Sequence, residues 1–144
     1  MKANQLFRAE LFKALPLPYF ISQVPAGFPS PADDYMDKKL DLNEHLIQHP
    51  SATFYCRVSG SSMTAVGIFD DDLLIVDRAL KPRQGDVVLA FVNGGLACKI
   101  LDIRGKQLLP ANDQYPPIPI REGTDFEVEG VVINSIRFHR VRTG

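Results

Sequence analysis

The stretch DVVLAFVNGGLACKILD, residues 86–102, decides the fold class that the sequence predicts. Two apolar runs rich in β-branched residues lie on either side of Asn93 and Gly94. An Asn-Gly pair between such runs is a strong signal for a tight β-hairpin, because both turn residues must adopt positive φ angles. Residues 87–92 and 96–102 are therefore predicted to be antiparallel strands.

The residues around this hairpin predict further strands. Residues 53–59 alternate in polarity and place Phe54, Cys56 and Val58 on one face, as in a half-buried strand. The other predicted strands are residues 73–77, 107–109 and 126–138. The sequence thus predicts a mainly β domain over residues 51–144.

Residues 1–50 are predicted to form a separate N-terminal arm. Several X-Pro pairs between residues 15 and 31 favour extended backbone, because proline disfavours helical geometry in the residue before it. Short helical segments are predicted for residues 1–13 and after the capping residues Ser30 and Asp41, the last of them stopped by Pro50. The arm is therefore expected to be extended and partly helical.

The composition of the 144-residue chain restricts the classes of function. A net charge of −1 provides no general attraction to nucleic acid or to an anionic membrane. Cys56 and Cys98 have neither metal-ligand spacing nor a disulfide pattern, which favours a cytoplasmic protein without a metal or cofactor. Five prolines between residues 16 and 31 argue against a membrane span and against the helix of a signal peptide. The basic run near the C-terminus is interpreted as a solvated tail: Arg137, His139, Arg140 and Arg142.

The segment SGSSM, residues 59–63, contains a candidate nucleophile. Ser62 follows a predicted strand and opens a predicted helical turn, where unpaired backbone N–H groups can receive the negative oxygen of an acyl-transfer intermediate. A serine at the end of a strand is more often an ordinary cap or turn residue, so the motif alone is weak evidence.

A serine nucleophile needs a base, and the histidines are poorly placed to provide one, since two lie on the arm and one in the tail. Lys99 instead lies within the apolar run LACKIL of the predicted hairpin. At its free pKa only ~0.1% of lysine is neutral near pH 7, but burial can lower that pKa by roughly 3–5 units. Lys99 is therefore either the base of a Ser–Lys dyad or an edge lysine that extends to solvent.

Taken together, these segments resemble the LexA/UmuD family of self-cleaving proteins from about residue 27 to the C-terminus. The resemblance is carried, in order, by AGFPSP (26–31), DLN (41–43), LIQHPSAT (46–53), SGSSM (59–63), DLLIVD (72–77), GDVV (85–88), Lys99 and GVVI (130–133). It implies a β domain like that of signal peptidases, with Ser62 as nucleophile and Lys99 as general base. The cleaved bond would join Ala26 to Gly27. Ser61 stands where the family commonly has an acidic residue, but the Gly-x-Ser-Met pattern points to Ser62.

The resemblance also implies a biological role. UmuD-like proteins are homodimers whose self-cleavage is stimulated by RecA filaments on single-stranded DNA during the SOS response. Loss of residues 1–26 would leave residues 27–144 as the accessory subunit of a UmuC-type, Y-family DNA polymerase in error-prone translesion synthesis.

Other functions are compatible with the same core. A LexA-like or phage-type repressor would also cleave itself, but only about 50 residues precede the core, with no helix-turn-helix pattern and little basic charge. Direct, sequence-specific DNA binding is therefore not expected. A leader peptidase would share the Ser–Lys chemistry but would need a membrane anchor. A non-catalytic, polymerase-binding subunit would have no need to retain the nucleophile, the base and the cleavable bond together.

Overall fold

The computed structural model describes residues 13–20, 23–29 and 38–140. The chain divides into two compact units, Met1–Gln48 and His49–Gly144. The arm and the β domain predicted on either side of residue 50 remain a prediction, and the structure groups His49 and Pro50 with the second unit. The helix predicted at residues 1–13, apart from Lys13, and the start predicted at Ser30 lie outside the described residues.

The described part of the first unit contains two strands that the sequence analysis did not predict. Strand β1 (Pro16–Tyr19) pairs antiparallel with β2 (Lys38–Asp41). Prolines at alternate positions of β1 leave no apolar alternation to signal a strand, and proline is tolerated only where its missing N–H is not needed. The two strands form a short ribbon, and in the sequence the segment that contains Ala26 and Gly27 lies between them.

The helix predicted to begin at Asp41 is confirmed at its start. Helix α1 (Leu42–Leu46) has Asp41 as its N-cap, whose Oδ1 accepts a hydrogen bond from the Asn43 N–H at 3.1 Å. The helix ends before Pro50 and contains no buried residue.

The second unit contains, within residues 49–140, one seven-stranded sheet in which every neighbouring pair is antiparallel. Its strands follow the order β3-β4-β9-β5-β6-β7-β8. Their bounds are β3 (Thr53–Arg57), β4 (Leu73–Asp77), β5 (Val87–Val92), β6 (Gly95–Asp102), β7 (Gln107–Leu109), β8 (Ile118–Pro119) and β9 (Phe126–Ile136). The predicted mainly β fold is confirmed, and β8 is the strand of this sheet that the sequence did not indicate.

The predicted hairpin is present. Strand β5 pairs with β6 in the register Val92 to Gly95, so that Asn93 and Gly94 form the two-residue turn. Their φ angles are 48° and 87°, the positive values that a type I′ turn requires. This register places Lys99 opposite Val88 in the middle of the hairpin.

Two apolar clusters form the core of the sheet. The first contains the buried residues Met63, Ile68, Leu74, Val76, Leu89, Cys98 and Ala111. Phe54, Cys56 and Val58 pack against it, which confirms the face predicted for residues 53–59. The second contains Val88, Ala90, Val92, Leu101 and Leu108. Because Met63 belongs to the first cluster, burial of its side chain anchors the segment that contains Ser62.

No helix in the described ranges is both long and apolar enough to cross a membrane.

Candidate active site

Ser62 lies in a turn that is fixed to the core on both sides. Gly60 has a φ of 92°, a conformation that favours glycine, and its N–H donates to Asp70 Oδ1 at 2.8 Å. On the other side of Ser62, the Met63 side chain is only 2% exposed. The Ser62 carbonyl accepts a hydrogen bond from the Ala111 N–H at 2.7 Å. The backbone around the hydroxyl is therefore held by the core and by the loop after β7.

The backbone beside Ser62 has free donors. A short 3₁₀-helix, Thr64–Val66, begins two residues after Ser62. Within the described residues, the N–H groups of Ser62 and Met63 donate no hydrogen bond. Unpaired donors at the beginning of a helical turn can stabilise an oxyanion, which is the arrangement expected from the sequence.

Ser62 and Lys99 line the same cleft, which has a volume of about 370 Å³. Ser62 comes from the turn after β3, whereas Lys99 comes from β6, which β4, β9 and β5 separate from β3 in the sheet. The walls of the cleft are mainly apolar, and they include Phe54, Cys56, Val58, Leu74, Leu89 and Cys98. The fold thus brings the candidate nucleophile and the candidate base to one apolar cleft.

The environment of Lys99 favours the neutral amine. The side chain is half-buried, and burial lowers its pKa below the ordinary value of 10.5, although nearby Cys98 and Tyr115 act in the opposite direction. A lower pKa increases the fraction of lysine that can accept a proton near neutral pH. The electrostatics of the cleft therefore suit a lysine base better than an exposed position would.

The two cysteines of the cleft are less suited to act as nucleophiles. Burial raises the pKa of Cys98 to about 11 and also raises that of Cys56. The thiolate is the reactive form of cysteine, and these shifts disfavour it at neutral pH. Ser62 is accordingly a better candidate nucleophile than either thiol of the cleft.

His49 contacts the sheet through a partner other than Ser62. His49 Nδ1 lies 2.6 Å from Oδ2 of Asp77, whose side chain is 1% exposed. No histidine is among the described residues that line the Ser62 cleft. The sequence-based argument against a histidine base is consistent with this geometry.

Ala26 and Gly27 lie in an exposed bend over residues 26–28. The flanking Phe28 side chain is 91% exposed, and a methyl group added at Gly27 would meet no atom within 4 Å. The described segment 23–29 contains neither helix nor strand, so its backbone is not paired in a β-sheet. Such a segment is accessible to a protease.

Sequence reasoning missed two features around the Ser62 turn. Tyr115, on the loop after β7, bonds through its hydroxyl to Ser61 Oγ at 3.0 Å, and Lys99 Nζ lies 5.7 Å from the centre of its ring. A tyrosine in a proline-rich loop carries no pattern that would have indicated this position. The second feature is a clamp that joins the loop after Ser62 to the end of β9.

This clamp corrects the interpretation of the C-terminal basic run as a purely solvated tail. Arg137 Nε donates to Asp72 Oδ1 and its Nη2 donates to Asp72 Oδ2, both at 3.1 Å. Nη2 also donates to the Gly67 carbonyl at 3.1 Å, and the guanidinium lies 3.8 Å from the centre of the Phe69 ring. Arg137 is therefore a structural residue, which charge patterning alone did not distinguish from its basic neighbours.

The sequence is similar to proteins of known families. The profile of the family described as Peptidase S24-like matches residues 18–133. The chain is 43% identical to Protein SamA of Salmonella typhimurium over 121 residues, which cover 83% of this chain and 86% of SamA. It is 39% identical to Protein MucA of Escherichia coli over 127 residues, 87% of each chain.

A more distant likeness extends to a repressor. The chain is 34% identical to the LexA repressor of Idiomarina loihiensis over 131 residues, which cover 89% of this chain and 62% of the repressor. The repressor is thus substantially longer than the part it shares with this chain. The family match over residues 18–133 includes Ala26, Gly27, Ser62 and Lys99.

Proposed function

Because this chain belongs to the peptidase S24-like family, we propose that it is a serine endopeptidase whose substrate is its own polypeptide. The resemblance to the LexA/UmuD family is confirmed by this match and by the similarity to SamA and MucA. In the proposal, Ser62 is the nucleophile, Lys99 is the general base and the bond between Ala26 and Gly27 is cleaved.

The observation that carries the proposal is the shared cleft of Ser62 and Lys99. An unactivated serine is a weak nucleophile, and a neutral lysine in an apolar cleft can activate it. The free N–H groups at Ser62 and Met63 provide donors for the oxyanion. The accessible bend at Ala26 and Gly27 supports this bond as the substrate.

The proposed chemistry consists of acylation and deacylation. Neutral Lys99 Nζ accepts the proton of Ser62 Oγ as Oγ attacks the carbonyl carbon of Ala26. The C–N bond then breaks, the Lys99 ammonium returns the proton to the leaving amine of Gly27, and residues 1–26 remain as an ester on Ser62. Lys99 next accepts a proton from water, whose oxygen attacks the ester. Ser62 Oγ recovers its proton, and residues 1–26 leave with a new carboxylate.

Tethering explains how a bond in the same chain can be a substrate without a high-affinity peptide site. A covalently linked segment has a high effective concentration at the cleft, so weak and infrequent docking is sufficient. The rate would then depend on how often the segment docks while Lys99 is neutral. Cleavage between two copies in a homodimer would follow the same logic.

In the proposed role, the protein is cytoplasmic and acts in the SOS response to DNA damage. RecA filaments on single-stranded DNA would stimulate cleavage, and residues 27–144, as a homodimer, would serve a UmuC-like, Y-family translesion polymerase. Similarity to SamA and MucA across most of both chains supports this role over that of a repressor. A LexA-like repressor would need direct operator binding, which a gel-shift assay tests.

Intact mass measured after incubation with RecA, single-stranded DNA and a nucleoside triphosphate tests the proposal directly. The wild-type chain should lose residues 1–26, while Ser62→Ala and Lys99→Ala should remain whole. Ser61→Ala should still be cleaved, and together with an intact Ser62→Ala chain this result would assign the nucleophile to Ser62 rather than to Ser61.

The result that contradicts the proposal is equally definite. If the wild-type chain stays intact both with RecA and at alkaline pH without RecA, the peptidase proposal is wrong. A non-catalytic binding subunit would then be the better account. Cleavage that persists in Ser62→Ala would assign the nucleophile elsewhere.

A further inference from the structure

Tyr115 contacts both Lys99 and the residue that precedes Ser62. Its hydroxyl lies 3.0 Å from Ser61 Oγ, directly beside the nucleophile, and Lys99 Nζ lies 5.7 Å from the centre of its ring. The ring is therefore placed between the turn that carries Ser62 and the strand that carries Lys99.

The loop that carries Tyr115 is fixed to the Ser62 turn by several hydrogen bonds. The Ala111 N–H donates to the Ser62 carbonyl at 2.7 Å, and Asn112 Nδ2 donates to the Ser61 carbonyl at 2.8 Å. The Tyr115 N–H donates in turn to the Asn112 carbonyl at 3.1 Å. Turn and loop thus form one hydrogen-bonded unit, in which the position of the tyrosine ring is set relative to Ser62.

An ammonium group within about 6 Å of an aromatic ring centre is attracted by the negative face of the ring. This attraction acts on protonated Lys99 and not on the neutral amine, so it opposes the effect of burial. We propose that Tyr115 is a positioning residue for Lys99, whose ring holds the amine at the Ser62 cleft and whose hydroxyl ties the ring to Ser61. This inference deepens the peptidase proposal and rests on it.

The other ionisable groups around Lys99 do not replace this contact. Cys98 precedes it on β6, and Cys56 and Arg57 line the same cleft from β3. The Arg57 guanidinium lies 3.6 Å from Asp71 in an exposed ion pair, and the two thiols have raised pKa values. Among the described residues, Tyr115 is the aromatic side chain in cation–π contact with Lys99.

The inference is tested by measuring the protonation of Lys99 itself. In a Ser62→Ala background, which prevents the proposed cleavage, carbon-13-labelled lysine is titrated by NMR, and Lys99→Arg assigns the signal. Tyr115→Leu should lower the Lys99 midpoint by about half a pH unit, because the charged form loses its ring. Tyr115→Phe retains the ring and should leave the midpoint nearly unchanged. Tyr55→Leu, at an exposed tyrosine of β3, is the matched control and should have no effect.

A second measurement does not depend on any tyrosine variant. In the Ser62→Ala chain, the methylene protons next to Lys99 Nζ should lie upfield of those of exposed Lys81, because of the ring current of Tyr115. Absence of this shift, or a Lys99 midpoint that Tyr115→Leu leaves unchanged or raises, would overturn the inference.

The outcomes also separate this inference from the peptidase proposal. If Lys99 titrates as expected but the wild-type chain never cleaves itself, the contact is real and the proposed function fails. If the wild-type chain cleaves and Lys99 is insensitive to Tyr115→Leu, the function stands and the inference fails. If both hold, Tyr115→Leu in the otherwise wild-type chain should shift the pH dependence of cleavage to lower pH and reduce its limiting rate.

Discussion

Lys99 can act as a base only while its amine is neutral, and two opposing features of the cleft decide how often that is. Burial lowers its pKa, whereas the contacts with Cys98 and Tyr115 raise it. The balance lowers the pKa and favours the neutral amine relative to a free lysine. The proposed dyad would therefore respond to any change that deprotonates Lys99.

Self-cleavage should accordingly become faster as the pH is raised from about 7 towards 10, because the neutral fraction of Lys99 increases through this range. The measurement is the loss of intact chain with time in a series of buffers, without RecA. Lys99→Arg should abolish cleavage at every pH, since arginine does not lose its proton. Lys81→Arg, at an exposed lysine, should follow the wild-type curve. A rate that is constant or falls with pH would exclude an amine base.

The sequence singled out individual candidate residues but not the residues that surround them in the fold. Ser62 and Lys99 could be singled out because a motif and an apolar run drew attention to each, and a family resemblance joined them. Their common cleft could not be derived from spacing, because it depends on how the turn after β3 approaches β6. Tyr115 had no signal at all, since its role depends on two contacts made by different parts of the fold.

Between elements, the clamp of Asp72 and Arg137 supports the loop that follows the Ser62 turn. Asp72 accepts both guanidinium bonds, and its Oδ2 also accepts the Phe69 N–H at 2.8 Å. The side chain is only 2% exposed, so water cannot easily replace these partners. The loop that follows the nucleophile is therefore fastened to the C-terminal end of β9.

Asp72→Asn should lower the free energy of unfolding at pH 7 by about 2 kcal/mol, because charge-assisted hydrogen bonds to a buried carboxylate are lost. Urea unfolding measures the change. Asp71→Asn is the matched control, since Asp71 is exposed, pairs with Arg57 only at 3.6 Å, and has a φ of 71° that asparagine also tolerates.

The same variant has a predicted pH dependence. The Arg137 hydrogen bonds hold the pKa of Asp72 below its ordinary value of 3.8. A carboxyl group with a lowered folded-state pKa contributes stability above the unfolded-state value and loses it as the pH falls through the folded-state value. The difference between the wild type and Asp72→Asn should thus be largest near neutral pH and shrink below about pH 4. A difference that grows on acidification would contradict the clamp.

The close approach of β9 to β4 is a second contact between elements that can be tested. A methyl group added at Gly130 would lie 2.6 Å from Val76 Cγ1 and 3.2 Å from the Asp77 carbonyl oxygen. Gly130→Ala should therefore destabilise the protein by about 1–3 kcal/mol through overpacking. Gly95→Ala, where an added methyl group meets nothing within 4 Å, should cause no comparable loss in the same thermal or urea measurement.

Elements were predictable where a local pattern and the tertiary environment agreed. The predicted bounds of β4 and β7 match the structure, because their apolar runs are buried in the sheet as the pattern implies. The predicted hairpin was confirmed because its turn residues dictate the geometry. Strands β1 and β8 contain proline and make only short pairings, so their strand character depends on a partner that the local sequence does not reveal.

For the whole molecule, the division into two units determines where the β domain can be shortened. The second unit begins at His49, whose Nδ1 lies 2.6 Å from the buried Asp77 Oδ2 and whose carbonyl accepts hydrogen bonds from Thr53 Oγ1 and the Ala52 N–H. Burial of Asp77 would by itself raise its pKa, but hydrogen bonds from His49 and the Ala79 N–H outweigh this effect, and the pKa is lowered. The sequence analysis placed His49 in the arm, but in the structure its side chain contacts Asp77 of β4.

Two fragments test this boundary: residues 49–144 and residues 51–144. Both should fold if the second unit is independent, but the shorter one leaves Asp77 buried without its histidine partner. Loss of a hydrogen bond to a buried charge costs about 1.5–3 kcal/mol, so the shorter fragment should unfold at correspondingly lower urea concentration at neutral pH. His49→Ala within residues 49–144 separates the side chain from the two extra backbone residues, and should reproduce most of the loss. If the two fragments were equally stable, a boundary after residue 50 would be as good as one before His49. Other groups in the sheet would then have to stabilise the buried Asp77 carboxylate.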